Sequence, residues 1–246
     1  MKLLAFARRN TKEILRDPLT LIFGIGFPVI LLLLLTLINK NIPQGYGPKN
    51  FALDQLTPGV SVFGLSFLAL FAAMLLSKDR CSSLLQRLYT TPLREGEFIL
   101  GYLLPLLPMA LLQSLVCYLV AFVLGLHVTC SAFLAILANL PAALLYISIG
   151  LLCGSVMNDK QVGGICGALL TNLSAWLSGT WFSLDLVGGV FKKIAYCLPF
   201  AHAVDLGRAV LAGTGDVWPQ LAVVLAYALG FTLLAILFFL RQRKKN

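Results

Sequence analysis

The sequence is short of charge. Only 12% of its residues are Asp, Glu, Lys or Arg, 59% are hydrophobic, and the mean hydropathy is +0.90. A soluble domain is about half apolar and about one quarter charged. So little charge cannot cover so much apolar surface in water, so part of the solvent must be lipid. This excludes a soluble enzyme, a disordered chain and a secreted disulfide-stapled module. Other chemistry is missing too. None of the 21 glycines precedes a lysine, so there is no GxxxxGK[ST] loop to cradle the phosphates of ATP. No CxxC or Cys/His spacing suggests a metal, and no paired carboxylates suggest a lipid-modifying transferase. Of the six cysteines, only Cys130 and Cys197 fall near one face where a disulfide could join them; free cysteines are the expectation.

What is present is a set of uncharged apolar stretches long enough to cross hydrocarbon. There are six, at 19–38, 58–77, 98–126, 130–156, 162–184 and 217–240. At about 1.5 Å per residue the shortest just cover a core of about 30 Å, and the longer ones must tilt, kink or protrude. No segment alternates in polarity as a barrel strand would. The expected fold is an all-α membrane protein with six transmembrane helices in one domain, 1–246. With the N-terminus inside, the inner segments carry 14 of the 19 Lys and Arg residues and the outer segments five. Both ends are therefore expected in the cytoplasm, and the net charge of +9 reads as this topology signal, not as a nucleic-acid footprint. The first apolar run starts only at Leu19, so no cleavable signal peptide is expected.

The six stretches contain no Asp, Glu, Lys, Arg or His. Carriers driven by ion gradients usually place an ionisable group at mid-membrane, so a self-sufficient carrier or channel stands as the second choice. A membrane-embedded protease would need Ser178 and His202 to pair, yet Trp176-Leu177 precedes the serine where a glycine-containing approach would leave room for an oxyanion. No catalytic residue is assigned.

The polar segments carry more information. Residues 1–18 read as an amphipathic helix, with Leu3, Phe6, Ala7 and Ile14 on one face and Arg8, Arg9, Lys12 and Arg16 among the rest. Such a helix is expected in the headgroup layer, apolar side down and basic side toward anionic lipid, with Asp17-Pro18 as its stop. In 78–97, Leu84, Leu85 and Leu88 recur at helical spacing between Arg80 and Arg87, and Thr91-Pro92 ends the pattern. A helix of about ten residues is marginal alone in water and needs a surface to dock on. Segment 185–216 reads as two short helices broken at Pro199, too short to cross and so interfacial or re-entrant, with Asp205 and Arg208 one turn apart as an exposed ion pair. In 162–184, Gly163, Gly167, Thr171, Ser174 and Ser178, with Asn172 alongside, form a small and polar face suited to a helix–helix or subunit interface, or to lining a pathway.

Together these features resemble the permease subunit of type-2 ATP-binding-cassette exporters over nearly the whole chain. That family's loop pattern is roughly Glu-Arg-Glu-x-Gly-Thr-Leu-Glu-Arg-Leu-Leu-x-Thr-Pro-Leu, then Leu-Gly-Lys. Aligned on Thr91-Pro92-Leu93, Asp79 and Arg80 take the first acidic and basic places, and Leu85, Arg87, Leu88 and Leu100-Gly101 match. Cys81, Ser83, Leu84, Gln86 and Tyr102 depart from the pattern. A Pro-led stretch ending in Asp-x-x-Arg before the last span also matches, from Pro199 to Asp205 and Arg208. The resemblance implies a transport subunit with no ATPase site or cofactor of its own, in a bacterial cytoplasmic membrane. It implies pairing with a second permease, the same or related, and docking of a separate nucleotide-binding ATPase that holds the ATP and Mg. The loop helix and the N-terminal helix would receive the ATPase, and Pro199, Asp205 and Arg208 would shape an outer gate. Cargo in that family includes drugs (antibiotics among them), peptides, lipids and lipid-linked glycans; uncharged spans favour an amphipathic or apolar one.

Overall fold

A computed structural model describes residues 2–43, 49–82, 95–213 and 216–243, and every regular element among them is helical. The amphipathic start forms one helix, Lys2–Arg16. Asp17 then caps the next helix: its carboxylate accepts from the Leu19 backbone N–H at 3.2 Å and from Thr20 Oγ1 at 2.7 Å, with Pro18 in the first turn. Span one follows as Pro18–Asn41, with a π-helical turn at Ile22–Gly26. Span two is Leu53–Cys81, span three Glu95–Leu124, span four Cys130–Val156 and span six Val217–Arg243. Spans one and two outrun their apolar stretches at both ends, span three at its start and span six at its end, because backbone hydrogen bonding continues wherever side chains tolerate the helix. The extension matters in span two: it carries Gln55 at one end and Lys78, Asp79 and Arg80 at the other.

The fifth crossing is shorter than expected. It covers 159–177 as three continuous pieces: Asp159–Val162, a π-helical stretch Gly163–Leu170, and Thr171–Leu177. A capping box between Asn158 and Gln161 starts it early. It ends before 184 because the chain turns at Gly179, whose φ of +70° suits a residue without a Cβ. Five helices are long and apolar enough to cross a membrane among the described residues, and this polar-ended one is not counted with them. The 185–216 segment contains the expected pair, Gly189–Cys197 and Pro199–Ala212, bent by 83° where Pro199 opens the second.

Span two is the axis of the bundle: 89% of its most apolar stretch is buried, against 22% for spans one and six. In lipid no hydrophobic force drives helices together, so close backbone packing must hold them. Gly150 and Gly154 of span four supply it, lying directly on Ala69 and Ala73 of span two. A Cβ at Gly150 would sit 2.8 Å from the Ala69 Cα, and one at Gly154 2.6 Å from the Ala73 carbonyl oxygen. Polar side chains lock the same region. Asn139 Nδ2 donates to Ser61 Oγ at 2.8 Å and Ser114 Oγ at 3.0 Å, and Gln113 Nε2 donates to the Ser61 carbonyl at 3.2 Å. Spans two, three and four are thereby tied inside the apolar core.

Candidate functional site

Four successive residues at the end of span two grip four other parts of the bundle. Each step along a helix turns about 100°, so one turn of side chains faces every direction. Ser77 Oγ donates to Asp159 Oδ1 at the start of the fifth crossing. Lys78 Nζ lies 3.5 Å from Glu13 Oε1 of the N-terminal helix. Asp79, only 3% exposed, accepts from Arg9 at 2.5 and 2.8 Å and from the Tyr102 hydroxyl of span three at 2.9 Å. Arg80 Nη1 donates to the Gly154 carbonyl at the end of span four at 2.8 Å. The chain leaves this hub for the 83–94 stretch within a few residues.

Burial of the Asp79 carboxylate would be costly without its partners; the two-pronged guanidinium and the phenol satisfy it. Its hydrogen bond and charge push the Arg9 guanidinium above its ordinary pKa, against the opposing effect of partial burial. Arg9 also bonds Glu13 at 2.7 Å, one turn on. The N-terminal helix is seated by the apolar side as well. Phe6 packs edge-on against Tyr102 and Phe98 at 5.1 and 6.2 Å, and Asn10 Nδ2 donates to the Gly101 carbonyl at 3.0 Å. Gly101 is required there, since a Cβ would stand 2.8 Å from Phe6 Cε1. The apolar side, expected to face down into lipid, is instead turned onto protein. Phe6, Ala7 and Ile14 are buried against protein, while Arg8, Lys12 and Arg16 stay exposed and Arg9 turns to Asp79.

Of the expected loop residues, Leu84, Leu85, Arg87, Leu88, Thr91 and Pro92 lie outside the described residues. Arg80 is described: its Nη1 donates to the Gly154 carbonyl at 2.8 Å, and the side chain is half-buried. Sequence reasoning passed over Ser77, Lys78, Glu13 and Asp159. The signal was available for Asp79, which occupies a motif position, and for Tyr102, which departs from the motif and here bonds Asp79.

The small and polar face of the fifth crossing divides. Thr171, Ser174 and Ser178 are buried in the bundle: Thr171 Oγ1 donates to the Cys166 carbonyl at 3.0 Å, Ser174 pairs with the Tyr146 hydroxyl, and Ser178 pairs with Thr180 Oγ1 at 2.7 Å. Gly163 and Asn172 face outward, and Gly167 meets only the Leu70 side chain, at 3.4 Å. Ser178 and His202 do not pair; the His202 ring lies between the Gln220 side chain and the Tyr196 carbonyl. All six cysteines, Cys130 and Cys197 included, are free.

At the opposite end of the bundle Arg208 is more than an exposed ion pair. Its side chain is 16% exposed, 3.7 Å from Asp205. It donates to the Gln55 carbonyl at 3.2 Å and the Gly179 carbonyl at 3.0 Å, so it staples the helix begun by Pro199 to span two and to the end of the fifth crossing. Asp205 also accepts from Tyr196 at 2.8 Å. Arg208→Ala strips these acceptors of a charged donor and is expected to cost about 1–3 kcal/mol. Arg208→Lys should recover little, because one ammonium cannot span two carbonyls on different elements. Thermal unfolding in detergent checks both.

These features define a helical membrane protein with a short gripping turn at one end of its central span and a stapled, sharply bent helix pair at the other. Residues 1–212 match the model of the ABC-2 type transporter family, and the chain belongs to that family. It is also similar to ABC transporter G family member 20 of Dictyostelium discoideum, 26% identical over 215 residues, which is 83% of this chain and 29% of that protein. The chain thus spans under a third of that relative's length.

Proposed function

We propose that this protein is the membrane-spanning subunit of an ATP-driven exporter, moved by a nucleotide-binding ATPase lying outside these 246 residues. The observation that carries this is the Ser77–Arg80 turn. A force applied to the 78–97 loop reaches the N-terminal helix through Asp79 and Lys78, span three through Tyr102, span four through Gly154 and the fifth crossing through Asp159. A loop anchored at one contact would only bend; one anchored on every side moves the bundle as a body. Leu84, Leu85 and Leu88 hold the loop helix in a groove of the ATPase, with Arg87 pairing an acidic group there. Both chain ends, the loop and this hub lie on the cytoplasmic side, and ATP and Mg belong to the ATPase.

The second permease subunit, a copy or a relative, packs on the outward side of the fifth crossing around Gly163 and Asn172. An exposed amide at mid-helix is poorly suited to lipid and supports a protein or pathway neighbour there. Pro199, Asp205 and Arg208 brace the exit. The cargo is an amphipathic or apolar molecule of the drug, peptide, lipid or glycan class, leaving across the cytoplasmic membrane. Leu85→Asp tests the coupling directly. In the reconstituted complex it is expected to lower ATPase-dependent transport at least about tenfold, with an unchanged melting temperature in detergent to check that the chain still folds. Unchanged transport, or transport by the purified chain alone following an ion gradient, overturns the proposal.

A further inference from the structure

Beneath the N-terminal helix, between it and span two, lies an open groove of about 970 Å³. Arg8, Lys12 and Arg16 line one wall at successive turns of one helix face, and Phe71, Met74 and Leu75 of span two line the other. Its carboxylates are already engaged: Glu13 with Arg9 and Lys78, Asp17 with the cap of span one, Asp159 with Ser77. Arg8, Lys12 and Arg16 make no ion pair among the described residues. The lining carries five cationic side chains, Arg8, Arg9, Lys12, Arg16 and Lys78, against three carboxylates, a net positive wall facing an apolar one on which Met74 is 45% exposed. The groove lies where Asp17-Pro18 opens span one.

We propose that this groove binds an anionic phospholipid, its phosphate held by Arg8, Lys12 and Arg16 and an acyl chain running along Phe71 and Met74. The chemistry of both walls requires this class of ligand. A soluble phosphate would leave the apolar wall in water, and a neutral lipid would leave the cations unpaired. The docking of the helix explains why the site exists: with Phe6 and Ile14 turned onto protein, Arg8, Lys12 and Arg16 stay exposed beside Leu4 and Leu15, which are 64% and 59% exposed. A lipid in this groove bridges the N-terminal helix and span two beside the Arg9–Asp79 contact, so its charge is felt at the loop root. The proposal needs the membrane assignment only and stands apart from the coupling by the ATPase.

Native mass spectrometry of the full chain, titrated with phosphatidylglycerol or phosphatidylcholine of the same acyl chains, tests this. Phosphatidylglycerol is expected to bind at least tenfold more tightly. Each of Arg8→Gln, Lys12→Gln and Arg16→Gln is expected to cut that preference about fivefold, and the triple variant to abolish it. These side chains are exposed, so the variants should fold, and an unchanged melting temperature checks that they do. Glycerol 3-phosphate is expected not to compete. The proposal is overturned if the triple variant keeps the preference, or if glycerol 3-phosphate displaces the lipid at equal concentration. It is equally overturned if the triple variant binds lipid normally and instead loses a co-purifying ATPase, which would assign the basic face to a protein.

Discussion

Gly150→Val is expected to prevent stable folding, because it drives a side chain into the main chain of span two. The obstacle at Gly150 is the carbonyl group and Cα of Ala69, and a helix backbone cannot swing aside as a side-chain tip can. Overpacking a core costs about 1–3 kcal/mol when side chains can adjust, so a backbone collision should cost at least about 3 kcal/mol. Set against native stabilities of about 5–15 kcal/mol, that is a large fraction. Even Gly150→Ala should be destabilising. Gly230→Val in span six is the matched control, since nothing lies within 4 Å of the Cβ it would add. Melting curves of the two variants in detergent should differ widely; coincident curves would refute the Ala69–Gly150 seam.

Arg9→Ala is expected to have the second largest effect, on stability and on coupling together. It leaves the buried Asp79 carboxylate with Tyr102 as a donor and no counter-charge beside it. Breaking a buried pair in this way costs about 3–5 kcal/mol; the Arg9 side chain is 37% exposed, which lowers the expectation to about 2–3 kcal/mol. The diagnostic outcome is non-additive. Adding Asp79→Asn to Arg9→Ala removes the stranded charge while keeping an acceptor for Tyr102, so the double variant should be more stable than Arg9→Ala alone. It should remain uncoupled, because no ionic bond then ties the N-terminal helix to the loop root at this position. A double variant that is simply worse, or that regains ATPase-driven transport, would show that Asp79 is not held as described.

The apolar stretches were legible because lipid imposes a length and a composition that no local detail can disguise. The N-terminal helix was legible for a similar reason, through the spacing of Phe6, Ala7 and Ile14. Its destination was not. Amphipathicity says that a face must be covered and not by what, and the seat at Gly101 is a long-range fact. The helix seam shows the same limit. Gly150 and Gly154 have the same four-residue spacing as Gly163 and Gly167, yet the first pair touches backbone and the second does not. Small residues announce that an approach is possible; the partner decides whether it happens. The fifth crossing misled by hydropathy, since Ser178–Leu184 is apolar enough to continue a helix and only the turn at Gly179 stops it. The hub at Ser77–Arg80 escaped because charged residues at the end of a span read as topology signals, whatever they grasp.

The central position of span two also sets an order of events during synthesis. A ribosome delivers Leu53–Cys81 to the translocon well before the helix that will cover it, because Gly150 and Gly154 come only after span three and most of span four. In that interval Ser61, buried in the finished bundle, lacks the Asn139 amide of span four that donates to it. Arg9 can meet Asp79 earlier, but the phenol that completes its site arrives only with span three. The nascent chain therefore carries an unfinished middle through much of its own insertion, and a stall before Val156 would leave it a substrate for quality-control proteases.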